Sequence, residues 1–304
     1  MSTDVYGTIW QVLYILITIP IVVGNGLIIL SIIRYRKLRT KMHILIGNLA
    51  VSDLITGAVL IPYSLSTDGR ILNSNMYLCF GKLSLFVISL GSSCYNLMLI
   101  SFERFVSITF PLKYMHQFTT TRMVILMSVG WVVTLFNSTL PFFGWHVYNE
   151  NNTDCVSDTL WPPGYKIMVN WELICAMIFN FVLYAIVMKI ALRKARDRNQ
   201  ITGGLRHTAK VDKDVYQLVT MVIVLGVFAL CWLPYVIVAI VVTFYETPYT
   251  QYIRRCTLIP GLLNSAVNWL IYGYRNSDFR KAFKTCFKCR LLCKESGNLA
   301  VDTS

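Results

Sequence analysis

The sequence predicts an all-α membrane protein, a seven-transmembrane helix bundle followed by a short amphipathic eighth helix. Three observations carry that reading. Of 304 residues, 55% are hydrophobic and only 14% are charged, where an ordinary soluble domain has about a quarter of its residues charged. The apolar residues come in long blocks, without the alternation of a half-buried helix or strand. Basic residues collect in every second loop. A formal charge of +13 would suggest a nucleic-acid partner in a soluble chain, but its concentration on one side of a membrane argues against nucleic acid.

A helix rises about 1.5 Å per residue, so about 20 apolar residues cross the hydrocarbon core. Seven stretches qualify, at roughly 9–33, 43–65, 76–108, 123–143, 166–190, 215–243 and 257–274. The third and sixth are longer than the bilayer requires and should tilt or project from it. The first lacks a preceding basic residue and is too long for the apolar core of a cleavable signal peptide. The chain divides accordingly into an extracellular N-terminus, 1–8, a transmembrane domain, 9–274, and an amphipathic helix with a cytoplasmic tail, 275–304.

Orientation follows from the 28 Lys and Arg residues, because basic loops stay on the cytoplasmic side. One face holds 23 of them; the other has Arg70, Lys82, Lys166, Arg254 and Arg255. The N-terminus is therefore expected outside and the C-terminus inside, with the basic face against anionic membrane lipid. The outer loop at about 144–165 carries Glu150, Asp154 and Asp158 but no Lys or Arg. It also holds Asn151-Asn152-Thr153, a glycosylation sequon suited to an exterior loop. A second match, Asn137-Ser138-Thr139, falls inside the fourth span, out of reach of a glycosyl transferase.

The nine cysteines sort by compartment. Cys79, at the outer end of the third span, and Cys155, in the acidic loop, lie where disulfides persist; a bridge between them would tie that loop over the bundle. Cys286, Cys289 and Cys293 follow the last span among basic residues, a setting for S-palmitoylation, with a weak zinc motif as the rival. Cys94, Cys175 and Cys231 read as buried packing residues, and Cys256 has no assigned role.

Polar residues inside spans are costly, so each needs a partner or a job. Asn25 sits within Gly24-Asn25-Gly26 of the first span, Asp53 ends Leu49-Ala50-Val51-Ser52-Asp53 in the second, and Glu103-Arg104-Phe105 closes the third. Trp131 is central in the fourth, Phe228-x-x-Cys231-Trp232-Leu233-Pro234 lies in the sixth, and Asn264-Ser265-x-x-Asn268-Trp269-x-x-Tyr272 in the seventh. Phe279-Arg280-x-x-Phe283 follows. In order, one set per span, these motifs resemble those of rhodopsin-like (class A) G-protein-coupled receptors, from about Gly24 to Phe283.

That resemblance implies a receptor, not an enzyme: it binds a small extracellular ligand and activates a heterotrimeric G protein by outward movement of the sixth helix, with arrestin and a receptor kinase as further partners. The switch would comprise Glu103, Arg104, Asp214, Tyr184, Asn268 and Tyr272, with an Arg104–Asp214 bridge holding the sixth helix in at rest. A plainer reading has Arg104 only anchoring the helix end at the headgroups. Family members bind an allosteric sodium ion at positions matching Asp53, Ser93, Asn264, Ser265 and Asn268. No other cofactor is implied. Removing a bare carboxylate from water is costly, so Asp53 is either neutral or has a cation; a hydrogen-bonded cluster without sodium is the alternative. Pro234 breaks the helix ladder and makes the cytoplasmic half of the sixth helix a lever, with Trp232, deeper than the proline, sensing ligand.

Departures from the family pattern are informative. Trp269 replaces the usual proline of the seventh span and Ala176 that of the fifth, so a receptor-like protein with weak or no signalling is the competing reading. The pocket positions are Lys82, Phe86, Glu172, Trp232, Tyr235, Ala239, Leu258 and Leu262. Phe86 stands where aminergic receptors have an aspartate, Leu262 where opsins have the retinal lysine, and Ala239 where adenosine receptors have an asparagine. The seventh span nevertheless resembles those of adenosine and melanocortin-like receptors. Glu172 is expected to face inward, toward a ligand amine or hydroxyl, or else to be solvated or paired with Lys82. A transporter's inverted repeats and an enzyme's clustered catalytic groups are both missing from the sequence. The four histidines are scattered near loops and membrane boundaries.

Overall fold

The computed structural model describes residues 2–66, 75–148, 155–201, 209–245 and 247–292. Its principal helices are α1 (Ser2–Arg34), α2 (Lys41–Leu54, carried on through a π turn, Ile55–Leu60, and a last segment, Ile61–Ser66), α3 (Met76–Thr109) and α4 (Thr120–Thr139). They continue with α5 (Pro163–Ile201), α6 (Ala209–Phe244), α7 (Pro248–Arg275) and α8 (Ser277–Leu292). Every expected span falls on one of the first seven. Short helices at Arg36–Leu38, Pro111–Gln117, Leu140–Phe143 and Ser157–Leu160 occupy the connections.

Local chemistry explains where the helices begin. Thr40, Asn75 and Thr119 accept hydrogen bonds at the N-caps of α2, α3 and α4, each satisfying amides that an α-helix leaves unpaired in its first turn. Thr247 and Thr250 form a reciprocal capping box on α7, with Pro248 at its first position. Asn276 ends α7 and its side chain accepts from the amides of Asp278 and Phe279, so one residue both closes α7 and opens α8. Gly144 takes φ 100° to close the turn after α4, a backbone state that glycine adopts without a Cβ clash.

Among the described residues, six helices are long and apolar enough to span a bilayer. The seventh, α7, is diluted by Arg254, Asn264, Ser265 and Asn268, which are buried in the bundle, and by Arg255, which is exposed. The third helix is central: it packs on α2, α4 and α5, while α6 bridges α5 and α7, and α1 closes the ring between α2 and α7. Lipid-facing Ile, Leu and Val side chains cover the outside of α1, α4, α5 and α6. Because lipid tails are as apolar as leucine, cohesion inside the ring comes from close packing and interhelical hydrogen bonds, about 0.6 kcal/mol each. Trp131 of α4 donates to Asn48 Oδ1 at 3.1 Å; Asn48 bonds Asn96 of α3, which donates to Ser52 of α2 at 3.1 Å. Three helices are joined by that chain of amides.

The fifth helix is the longest, 39 residues, and is unbroken through Ala176. Its buried positions, among them Leu173, Met177, Asn180, Tyr184, Val187 and Ala191, keep the spacing of a regular helix.

Candidate functional site

The polar centre of the bundle forms around Asp53, which is fully buried. Ser265 Oγ donates to its Oδ1 at 2.7 Å and Asn268 Nδ2 to its Oδ2 at 2.8 Å. Asn25 of α1 donates to the Ser265 carbonyl at 3.0 Å, so the cluster joins α1, α2 and α7. Three amide oxygens close to it, on Asn25, Asn264 and Asn268, are buried without a hydrogen-bond partner. Buried polar atoms rarely stay unpaired, and carboxylate, hydroxyl and amide oxygens suit a hard cation. The residues therefore fit a sodium ion. A cavity between this cluster and the outer half of the bundle is lined by Thr56, Phe86, Ser93, Trp232, Asn264 and Ser265. Thr56 and Ser89 hydrogen-bond across it, beside the α2 π turn, a helix irregularity often found at functional sites.

The roof of this cavity is aromatic. Phe86, Trp232 and Tyr235 form a triangle with ring centroids 5.8 to 6.2 Å apart, in the tilted and edge-on arrangements that such rings favour. Trp232 lies against Gly261, where any Cβ would meet its ring. Ala239 and Leu262 are buried, and Leu258 is half-buried beside them. Above, Cys79 and Cys155 are bridged, with Cα atoms 5.6 Å apart. Arg254 of α7 donates to Ser157 Oγ at 2.6 Å, so the loop after the disulfide is also fastened to α7.

At the opposite end, Glu103 and Arg104 make a charge contact, Oε2 to Nε 3.2 Å. Tyr114, in the short helix Pro111–Gln117, donates to Glu103 Oε1 at 2.7 Å. Burial, and the Glu103 charge next to it, hold the Tyr114 phenol well above its ordinary range, so it stays a proton donor. Lys41 sits over the same ring, 4.7 Å from its centroid. Tyr184 is buried and meets the Ser101 hydroxyl, and Tyr272 is buried without a hydrogen-bond partner for its hydroxyl. Arg275, at the end of α7, stacks 3.8 Å above the Tyr216 ring of α6 and donates to Thr220 at 3.2 Å. This α6–α7 contact was not expected from sequence, since no motif pairs those positions.

Two placements, Glu172 and Cys175, differ from the sequence reading, and four others lie outside the described residues. Glu172 does not face the pocket; it is exposed on the α4–α5 flank, where its Oε1 accepts from Asn137 Nδ2 at 2.6 Å. With Ala176 in place of proline, α5 keeps a regular phase, and that leaves Glu172 at the edge of its buried stripe. Cys175, expected to be buried, is exposed on the same flank, because lipid solvates an apolar thiol as readily as the core does. The Asp214 side chain, and with it the Arg104–Asp214 pair, lies outside the described residues, as do Asn151, Cys293 and the side chain of Cys289. Cys286 is described and half-buried.

Trp269 was singled out for the proline it replaces, but its contact was not foreseen. Its indole lies over Gly24 of α1, in the space that any side chain at Gly24 would need. The α1–α7 seam is thus closed by a tryptophan against a glycine.

Residues 24–272 match the model of the 7 transmembrane receptor (rhodopsin) family. The chain belongs to that family. Among the relatives of this receptor are the histamine H2 receptor of Cavia porcellus, 29% identical over 97% of this chain and 84% of its own length, and the sphingosine 1-phosphate receptor 1 of Danio rerio, 27% identical over 95% and 81%. A third is the adenosine receptor A2a of Equus caballus, 26% identical over 98% and 77%. All three are receptors, not enzymes. Their names span histamine, sphingosine 1-phosphate and adenosine at nearly equal identity, so ancestry fixes the class and not the ligand.

Proposed function

We propose that this protein is a plasma-membrane receptor with its N-terminus outside and C-terminus inside, which binds a small extracellular ligand and activates a heterotrimeric G protein. The observation that carries the reading is the continuous column of unlike environments through one bundle. An aromatic roof of Phe86, Trp232 and Tyr235 stands over a cavity that leads to the Asp53 cluster, with Arg104 below it at the cytoplasmic end. Ligand pressing on Trp232 shifts α6 about Pro234, its lower half swings outward, and Arg104 leaves Glu103 to meet the G protein. Only a ligand that prefers the open arrangement drives that shift.

Asp53, Ser93, Asn264, Ser265 and Asn268 would hold a sodium ion, whose positive charge stabilises the Asp53 carboxylate. On the cytoplasmic side, arrestin and a receptor kinase are expected partners of the open form, and the basic face and palmitoylated Cys286 bind lipid. The Trp269–Gly24 seam favours a second reading, in which α7 is held so firmly to α1 that agonist-driven signalling is weak.

A ligand panel on transfected cells, read in parallel by cAMP, calcium and arrestin recruitment, tests the function. A response in any channel that disappears in untransfected cells supports it. Silence in all channels at verified surface expression favours the weakly signalling reading. An N-terminal epitope should stain intact cells; staining only after permeabilisation overturns the orientation.

A further inference from the structure

The geometry points to an anionic, amphipathic ligand, an acidic headgroup on an apolar chain, held by Lys82 and Arg255 at the mouth of the pocket; the inference rests on the receptor reading above. Lys82 lies one turn outside Phe86 on α3, and Arg255 one turn outside Leu258 and two outside Leu262 on α7. By helical spacing each shares a face with residues of the pocket. The two come from opposite walls, and Arg255 is near enough to Lys82 for their charges to repel. Among the described residues neither has an ion pair or a hydrogen bond.

Two like charges brought together without a counter-ion among the described residues are destabilising, and Lys82 and Arg255 both lie toward the outer ends of their helices. Tyr14 of α1 also lies within electrostatic reach of Arg255, and its hydroxyl can donate to the same anion. Inward of this group the α1–α2–α7 side is apolar, with Leu65, Leu258 and Ile259 packed against Ile17, Ile61 and Leu262, and the aromatic triangle follows on α3 and α6. No described carboxylate opposes the two cations. Glu172 is turned to the α4–α5 flank, and Asp53 lies beneath the aromatic roof with two donors already bound. An amine headgroup would meet only like charge here, whereas a carboxylate or phosphate would meet two cations, and field complementarity of this kind decides which partner is admitted.

The test is thermal unfolding of the full-length receptor in detergent with four probes of matched unsaturated chain: oleate, oleoyl lysophosphatidate, monoolein and oleylamine. Inorganic phosphate and acetate serve as free anions. The two anionic amphiphiles should raise the melting temperature, while monoolein, oleylamine and the free anions should not. A response to oleate alone or to lysophosphatidate alone identifies the headgroup as carboxylate or phosphate. Lys82→Gln should raise the concentration needed for half the shift about tenfold, the loss expected for one charge-assisted contact, and Arg255→Gln should do likewise.

Lys82→Glu is the stricter variant, because it should exchange preference toward oleylamine. Equal stabilisation by anionic, neutral and cationic probes, or a response unchanged in all three variants, overturns the inference. So does a receptor in which Lys82→Gln lowers stability without any probe and no anion binds the parent, since the cations would then be serving the acidic loop. A response to free phosphate or acetate equal to that of the amphiphiles overturns the amphipathic part. This readout does not involve a G protein, so its failure leaves coupling untouched, and a coupling failure leaves it standing.

Discussion

Asp53 and Glu172 are both carboxylates within predicted spans, yet their surroundings differ in kind. Asp53 is enclosed by α1, α2 and α7 and accepts two hydrogen bonds from α7. Glu172 is exposed on the α4–α5 flank and accepts one, from Asn137. A charged residue in a span is a candidate for function by default, but the contrast shows that what it does depends on where it falls around its helix. Asp53 lies on the side of α2 that meets α7; Glu172 sits at the edge of the buried stripe of α5. The first couples α2 to α7, and the second joins α5 to α4 on the outer flank.

The largest expected effect separates the two directly. Asp53→Ala leaves the Ser265 hydroxyl and the Asn268 amide without their acceptor, and each buried donor left unpaired costs about 1–3 kcal/mol. Melting of the purified receptor should fall by several times the experimental error. A variant as stable as the parent would mean that the cluster is not what joins α2 to α7.

Next is the seam on the other side of α7. Gly24→Ala puts a methyl group where the Trp269 indole lies, and overpacking of this kind costs about 1–3 kcal/mol. Adding Trp269→Ala should restore much of the loss, because the two side chains compete for one space. Strictly additive losses would show that they do not meet.

A smaller effect tests whether the Asp53 cluster takes a cation. Sodium at about ten times its dissociation constant would add about 1.4 kcal/mol, seen as a higher melting temperature in sodium than in potassium at equal ionic strength. Asp53→Asn should abolish the difference. A response shared by potassium, or retained in the variant, would reduce the site to a hydrogen-bonded cluster.

The smallest belongs to Glu172. Glu172→Ala loses one interhelical hydrogen bond, about 0.6 kcal/mol in a membrane protein, and should leave stability and ligand preference nearly unchanged. A large change in ligand preference would return Glu172 to the pocket and break the comparison.

These residues also show how far the sequence could be read. Long apolar blocks mark all seven spans, because the bilayer sets both their length and their composition. The seventh, 257–274, carries the polar Asn264, Ser265 and Asn268, and these are residues that the bundle buries. The cluster around Asp53 was legible through the family resemblance, because Asp53, Ser265 and Asn268 stand at positions that converge in that family. For Glu172 the sequence left an inward and a solvated position open, because hydropathy does not give the rotation of a helix; the structure has the exposed one. The Trp269–Gly24, Tyr114–Glu103 and Arg275–Tyr216 contacts join positions on different elements. Nothing local to either partner announces them.

The central claim is that Arg104, beneath the Asp53 column, transmits the state of the bundle to a G protein. Its most direct test is nucleotide exchange on purified heterotrimers of each Gα class, with the receptor in lipid, with and without an agonist from the ligand panel. Parent and Arg104→Ala are compared at equal amounts of folded receptor. The parent should accelerate exchange on at least one Gα class, and Arg104→Ala should return it to the rate without receptor while binding the same ligand. Exchange by Arg104→Ala equal to the parent on every class that the parent activates would contradict the mechanism, even with the seven-helix fold intact.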